Sequence, residues 1–123
     1  MDSIENNYAL YTLDGGILYI RYHADIVIKY EGAVKIVADR LRFQQGICYP
    51  ALCDITGVEE VDKPARDYLA SEGSILLKAV AFIVGNPMSN IISYFYLKTT
   101  KPSIPTKAFK EVEEAKLFLE KYI

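Results

Sequence analysis

The stretch Pro50-Ala51-Leu52-Cys53-Asp54-Ile55-Thr56-Gly57-Val58-Glu59-Glu60-Val61-Asp62-Lys63-Pro64-Ala65 decides how this chain folds. Pro50 to Ile55 is a short apolar run containing one acid, Asp54, and Thr56-Gly57 closes it. A run that stays apolar without alternating suits a strand buried on both faces, hence a central one. Asp62 then stands where a helix N-cap belongs, and Pro64 falls in the first turn, where a missing N–H is harmless. Ala65, Leu69 and Tyr68 supply the buried side of this helix, which ends before Gly73. A buried strand followed by a helix is the repeating unit of parallel α/β sheets.

Towards the N-terminus, Tyr8 to Leu13 and Ile17 to Tyr22 are β-prone runs joined by Asp14-Gly15-Gly16, a connection that predicts an antiparallel hairpin. Residues 1–7 read as a flexible tail. A helix is expected from about Ile28 to Gln45, with Val34, Val37 and Leu41 inward, Glu31 paired with Lys35, and Gly46 as its C′ residue. Towards the C-terminus, Ala79 to Val84 reads as a second buried strand ending at Gly85, and Asn86-Pro87 opens a further helix. Met88, Ile91, Ile92 and Phe95 fall at i, i+3, i+4 and i+7 of that helix, a stripe whose ordinary reading is core. Two prolines make Thr99 to Pro105 a loop before a strand at Thr106 to Phe109 and a last helix, with Val112, Ala115, Leu119 and Tyr122 inward. The order hairpin, α, β, α, β, α, β, α requires right-handed crossovers and a mostly parallel mixed sheet in which only the first strand runs antiparallel.

Composition narrows the function classes. A chain of 123 residues, 51% hydrophobic and 24% charged, fits one globular domain. The net charge of −2, with lysines and acids interspersed, gives no field to attract nucleic acid. No apolar run approaches the roughly 20 residues of a membrane span, and the polar, acidic start differs from a signal peptide, so a cytoplasmic setting is expected. Cys48 and Cys53 match no metal or redox spacing and read as reduced, partly buried thiols. His23 is the single histidine and has no second base or serine motif with which to build a nucleophilic triad. Neither a cofactor nor a metal is implied.

The segment Asp54 to Asp62 resembles the STAS domains of anti-sigma factor antagonists, in which a buried strand ends in an Asp-Leu-Ser-Gly-Val type sequence and an aspartate opens the next helix. Phe109 to Leu119 is similar to the closing strand and Glu-Glu-Ala helix of those domains, and the element order matches over nearly the whole chain. The resemblance implies the STAS fold and points to small stand-alone bacterial domains whose relatives include lipid-carrying CRAL-TRIO-type domains. Lys63, Pro64 and Ala65 stand where the antagonists carry two hydroxyl residues, the second a phosphoacceptor serine, and a glycine. A phosphoswitch at that place is therefore not expected.

Candidate site residues cluster at the expected carboxyl edge of the sheet, where open α/β sheets bind ligands. They are Asp54 and Thr56 at a strand end, Asp62, Lys63 and Arg66 at one helix start, and Asn86 and Ser89 at another. Their ordinary readings are loop-bracing for Asp54 and Thr56, N-capping for Asp62 and solvation for Arg66. Lys98, Lys101, Lys107 and Lys110 form a modest basic cluster around the proline loop. Ten tyrosines without a tryptophan, among them Tyr19, Tyr22, Tyr30, Tyr94 and Tyr96, suit an interface or a cleft lining equally. The first expectation is a non-enzymatic regulatory or protein-interaction module, binding a partner or a second copy through the carboxyl edge. The alternative is a binder of a small apolar or anionic lipid-like ligand, in a groove lined by Met88, Ile91 and Phe95.

Overall fold

In the computed structural model, which describes residues 2–99 and 103–123, with Phe95, Tyr96 and Thr99 described by backbone alone, the hairpin glycines occupy left-handed backbone conformations. Gly15 has φ 61° and Gly16 φ 84°, the geometry that lets a two-residue turn follow the twist of its strands. The turn joins β2 (Ala9–Asp14) to β3 (Ile17–Tyr22), in the register Asp14 opposite Ile17 through Ala9 opposite Tyr22.

Residues 2–5 are not part of a tail. Asp2–Glu5 forms an edge strand, β1, antiparallel to β2. The turn between them is built by Asn6, whose Oδ1 accepts from the backbone N–H of Tyr8 and Ala9 at 2.8 and 2.9 Å. Its Nδ2 donates to Asp39 in the first helix at 2.9 Å. The pair Asn6-Asn7 is the turn signal that the tail reading passed over.

The remaining elements are β4 (Ile26–Ile28), α1 (Tyr30–Gln44), β5 (Tyr49–Asp54), β6 (Val58–Val61), α2 (Lys63–Ser71), β7 (Leu77–Ile83), α3 (Pro87–Thr99), β8 (Thr106–Phe109) and α4 (Val112–Glu120). Among the described residues six strands form one sheet in the order β1-β2-β3-β5-β7-β8, and β4 pairs with β6 in a two-stranded parallel ribbon. Strands β3, β5, β7 and β8 are mutually parallel, so β2, the expected odd strand, runs against the other five. β5 is central and buried along Pro50, Ala51, Leu52 and Cys53. Pro50, which lacks an N–H, sits where the β5–β7 register shifts.

Helices α1, α2 and α3 lie on one face of the sheet, over Tyr11, Leu18, Ile20, Ala51, Cys53 and Val80. On the other face α4 packs with Ala115 and Leu119 against Leu52, Ala79, Ala81 and Ile83. The inward face of α1 consists of Gly32, Ala33, Ile36, Val37, Arg40 and Gln44, so Val34 and Leu41 stand at its margins. Lys35 pairs with Asp39 at 3.1 Å, the acid one turn on, rather than with Glu31. At the end of α1 the left-handed conformation starts at Gln45 (φ 51°), one residue before Gly46 (φ 80°). Val112 is exposed at the start of α4.

Tyr11 is fully buried beneath α1, donating to the Ile36 carbonyl at 3.1 Å and accepting from Asn6 at 3.2 Å. Burial pushes its hydroxyl up to about 12. Because the folded state holds this proton more tightly than the unfolded chain does, the contribution is intact below pH 10 and is lost as the pH rises towards 12. Unfolding midpoints in urea measured between pH 9 and 12 are expected to fall over that window, and less steeply in Tyr11→Phe. Gly57 is closely approached by backbone: a Cβ there would stand 2.3 Å from the His23 carbonyl oxygen and 2.7 Å from its carbon. Neither atom can turn aside, and the Gly57 carbonyl also receives the Ile26 N–H at 3.0 Å. Gly57→Ala is expected to lower the unfolding free energy by about 2 kcal/mol, measured by denaturant titration.

Candidate functional site

The polar residues at the carboxyl edge are joined to one another. Asp54 Oδ1 accepts from the Thr56 backbone N–H at 3.0 Å and from its hydroxyl at 2.7 Å, bracing the turn after β5. The Thr56 carbonyl accepts from Asn86 Nδ2 at 3.0 Å. Asn86 Oδ1 in turn accepts from the Ser89 N–H at 2.8 Å, while Ser89 Oγ receives the Asn86 N–H at 3.2 Å, a reciprocal cap for α3. Asp54, Thr56, Asn86 and Ser89 thus form one chain of hydrogen bonds from the end of β5 to the start of α3. Asp62 stands apart, capping α2 through the Ala65 N–H at 2.9 Å. Lys63 is exposed and pairs with Asp67 at 2.8 Å.

Arg66 differs from its neighbours. Its Nη1 donates to the Val61 carbonyl at 2.8 Å, but its Nε is buried and has no hydrogen-bond partner among the described residues. It lines a cavity of about 90 Å³ between the sheet and helices α1 to α3. The walls are mainly apolar, with Ile20, Cys53 and Phe82 from the sheet, Val37 from α1, Leu69 from α2 and Ile92 from α3. A void of about 20 Å³ shares Leu69, Gly73, Val80 and Phe82 with it and continues towards Ile104.

A second arginine lines the same space. Arg40 is 2% exposed, donates to the side chain of Gln44, and donates through Nη2 to the Gly73 carbonyl at 3.1 Å. No carboxylate lies within ion-pair distance of Arg40 or Arg66 among the described residues. Burial draws the Arg40 guanidinium down from its usual value, yet such a group keeps its proton. The site therefore has positive charge set into apolar walls, the construction expected for an anion with an apolar body. Arg40 was missed as a site residue, although its sequence signal exists: it falls in step with Ala33, Ile36, Val37 and Gln44.

The ordinary reading of the α3 stripe as core is corrected at two of its positions. Met88 and Ile91 are 48% and 51% exposed, pointing away from the interior, whereas Ser89, Ile92 and Ser93 face inward. The Phe95 side chain lies outside the described residues. His23 braces β1, with Nε2 3.1 Å from Glu5 and 3.1 Å from the Asn6 carbonyl. Among the described residues no three metal-ligating side chains assemble, and no helix is long and apolar enough to cross a membrane.

Residues 11–123 match the family described as a domain of unknown function, DUF7793. The chain belongs to that family. No curated protein matches. Among solved structures, the crystal structure of an uncharacterised DUF3478-family protein from Shewanella loihica PV-4, described as having a SpoIIAA-like fold, is similar. That similarity has a TM-score of 0.64 at 15% identity, over 94% of this chain and 98% of the other. This DUF7793 chain accordingly has the SpoIIAA-like, STAS-type fold expected from the Asp54 to Asp62 segment.

The two thiols differ in setting. Cys48 is exposed before β5, against the expectation of partial burial, while Cys53 is buried in the cavity wall, where desolvation pushes its thiol up to about 12. At pH 8 a disulfide-exchange reagent such as Ellman's is expected to titrate Cys48 rapidly, and Cys53 only on unfolding. Reaction of both thiols at one rate in the folded protein would contradict this placement.

Proposed function

We propose that this domain is a non-enzymatic ligand-binding module that holds a small, mainly apolar carboxylate in the cavity between the sheet and helices α1 to α3. The observation that carries the reading is the pair Arg40 and Arg66, two cations lining one apolar cavity with no carboxylate partner among the described residues. A guanidinium removed from water is costly unless it is hydrogen-bonded and paired. An anionic head group meets that need, and the free Nε–H of Arg66 offers it a charge-assisted bond. The ligand's apolar body then lies against Cys53, Leu69 and Ile92.

The protein-partner reading of the carboxyl edge has less support. Asp54, Thr56, Asp62, Asn86 and Ser89 all have their hydrogen bonds within the chain. In a STAS-type scaffold with Lys63-Pro64-Ala65 in place of the phosphoacceptor, the regulatory signal passes to cavity occupancy instead of phosphorylation.

The test compares ligands of equal length. Saturated carboxylates of four to eight carbons are expected to raise the melting temperature and to give calorimetric binding, and the matching alcohols are expected to do neither. Arg66→Gln should weaken carboxylate binding by roughly tenfold or more without altering the circular dichroism of the fold. Equal stabilisation by alcohols, or an unchanged affinity in Arg66→Gln, would sink the anion-binding reading.

A further inference from the structure

The two cavity arginines are anchored at opposite ends of α2. Arg66 lies in the first turn of that helix, with Nη1 on the Val61 carbonyl just before it. Arg40 has Nη2 on the Gly73 carbonyl just after it, and Nη1 on Gln44, which in turn holds the Leu76 carbonyl where β7 is about to begin. From its Asp62 cap to its Glu72 cap α2 rises about 15 Å at 1.5 Å per residue, and both anchoring carbonyls lie beyond those caps. The cavity extends over a similar length. Leu77 and Phe82, five residues apart on β7, both line it, and that much extended strand covers about 16 Å.

Each guanidinium keeps donors for a ligand. The Nε–H of Arg66 is buried and without a partner among the described residues. On Arg40, Nη1 and Nη2 each carry two hydrogens, and the bonds to Gln44 and Gly73 take one from each. A single carboxylate meets one such fork of donors, the geometry that arginine favours. A ligand with one acid group therefore neutralises one end of the cavity and leaves the other cation without a counter-charge. A compact dianion such as inorganic phosphate has the same shortcoming, since its charges sit together.

We propose that the ligand of this cavity is an α,ω-dicarboxylate, a straight apolar chain with one terminal carboxylate on Arg66 and the other on Arg40. The inference rests on the carboxylate reading of the cavity and deepens it by adding a second anionic group and giving that group a place. The methylene chain lies between Val80 and Phe82 on the sheet and Leu69 on α2. Two charged ends also set a length, because only a diacid that spans the interval between the guanidinium groups reaches both.

Calorimetric titration of the full chain is to compare straight-chain diacids of four to ten carbons with their monomethyl half-esters, which keep the apolar body and lose one charge. One diacid is expected to bind per chain. The ratio of diacid to half-ester affinity is expected to peak at one intermediate length, where it reaches roughly tenfold or more. Arg66→Gln should bring that ratio to within about twofold of unity, since one cation then faces either ligand. Arg40→Gln should do the same. If losing the ties to Gln44 and Gly73 unfolds that variant, the length dependence in the wild-type protein decides the matter. Equal binding of diacid and half-ester at every length, two molecules bound per chain, or a diacid preference undiminished in Arg66→Gln would each overturn the diacid inference while leaving the carboxylate site standing. Failure of both ligand classes to bind, or equally tight binding of the matching diols, would remove the carboxylate site and this inference with it.

Discussion

Arg40 is the group around which one side of this molecule is arranged. It lies almost wholly out of water on the inward face of α1, where its charge has only polar, uncharged partners among the described residues. Its bond to Gln44 and its bond to the Gly73 carbonyl tie the end of α1 to the loop before β7. Gln44 extends the tie by donating to the Ile47 and Leu76 carbonyls, both at 2.9 Å. Leu76 is thereby held at φ 63°, a conformation costly for a residue with a branched side chain. Its carbonyl also accepts from the Tyr49 N–H, so the same cluster sets where β5 and β7 begin to pair. A buried cation that organises this much backbone also leaves an electrostatic demand in the cavity beside it.

The opposite edge of the sheet solves a different problem. Strand ends and helix starts leave N–H and C=O groups without regular partners. Here the short side chains of Asp54, Asp62, Asn86 and Ser89 meet those groups. The bonds that Thr56 makes with Asp54 and Asn86 join the β5 turn to the α3 cap. Gly57 admits the 22–23 backbone beside this turn, which brings β4 into line with β6. The residues that look most chemical in the sequence are thus occupied with closing the backbone, and the two arginines line the cavity one layer deeper.

Much of the fold was legible because it rests on local rules. The Asp14-Gly15-Gly16 turn, the Asp62 cap with Pro64, the mainly apolar runs of β5 and β7, and the alternation of strands with helices each follow from neighbouring residues. Strands β1, β4 and β6 were not read because they are short and rely on partners distant in sequence, or on a two-residue asparagine turn. In the site, Arg66 was singled out, but for solvation or a partner at the edge. Arg40 was not singled out, because a charged residue within an amphipathic helix ordinarily belongs to its outer face.

The sequence by itself determined the order of the main strands and helices, their parallel crossovers and the STAS-type arrangement, since these follow from hydrophobic period, glycine and proline placement, and chain chirality. Only the tertiary structure decided which way α3 faces and where the two arginines point. Periodicity measures the contrast between two sides of a helix but does not say which side is turned inward. At α3 the reciprocal cap between Asn86 and Ser89, and the bond from Asn86 to a loop thirty residues away, outweighed the apolar stripe and left Met88 and Ile91 in the open. The cavity likewise belongs to no single segment, because its walls come from the sheet and three helices and exist only once those layers are packed.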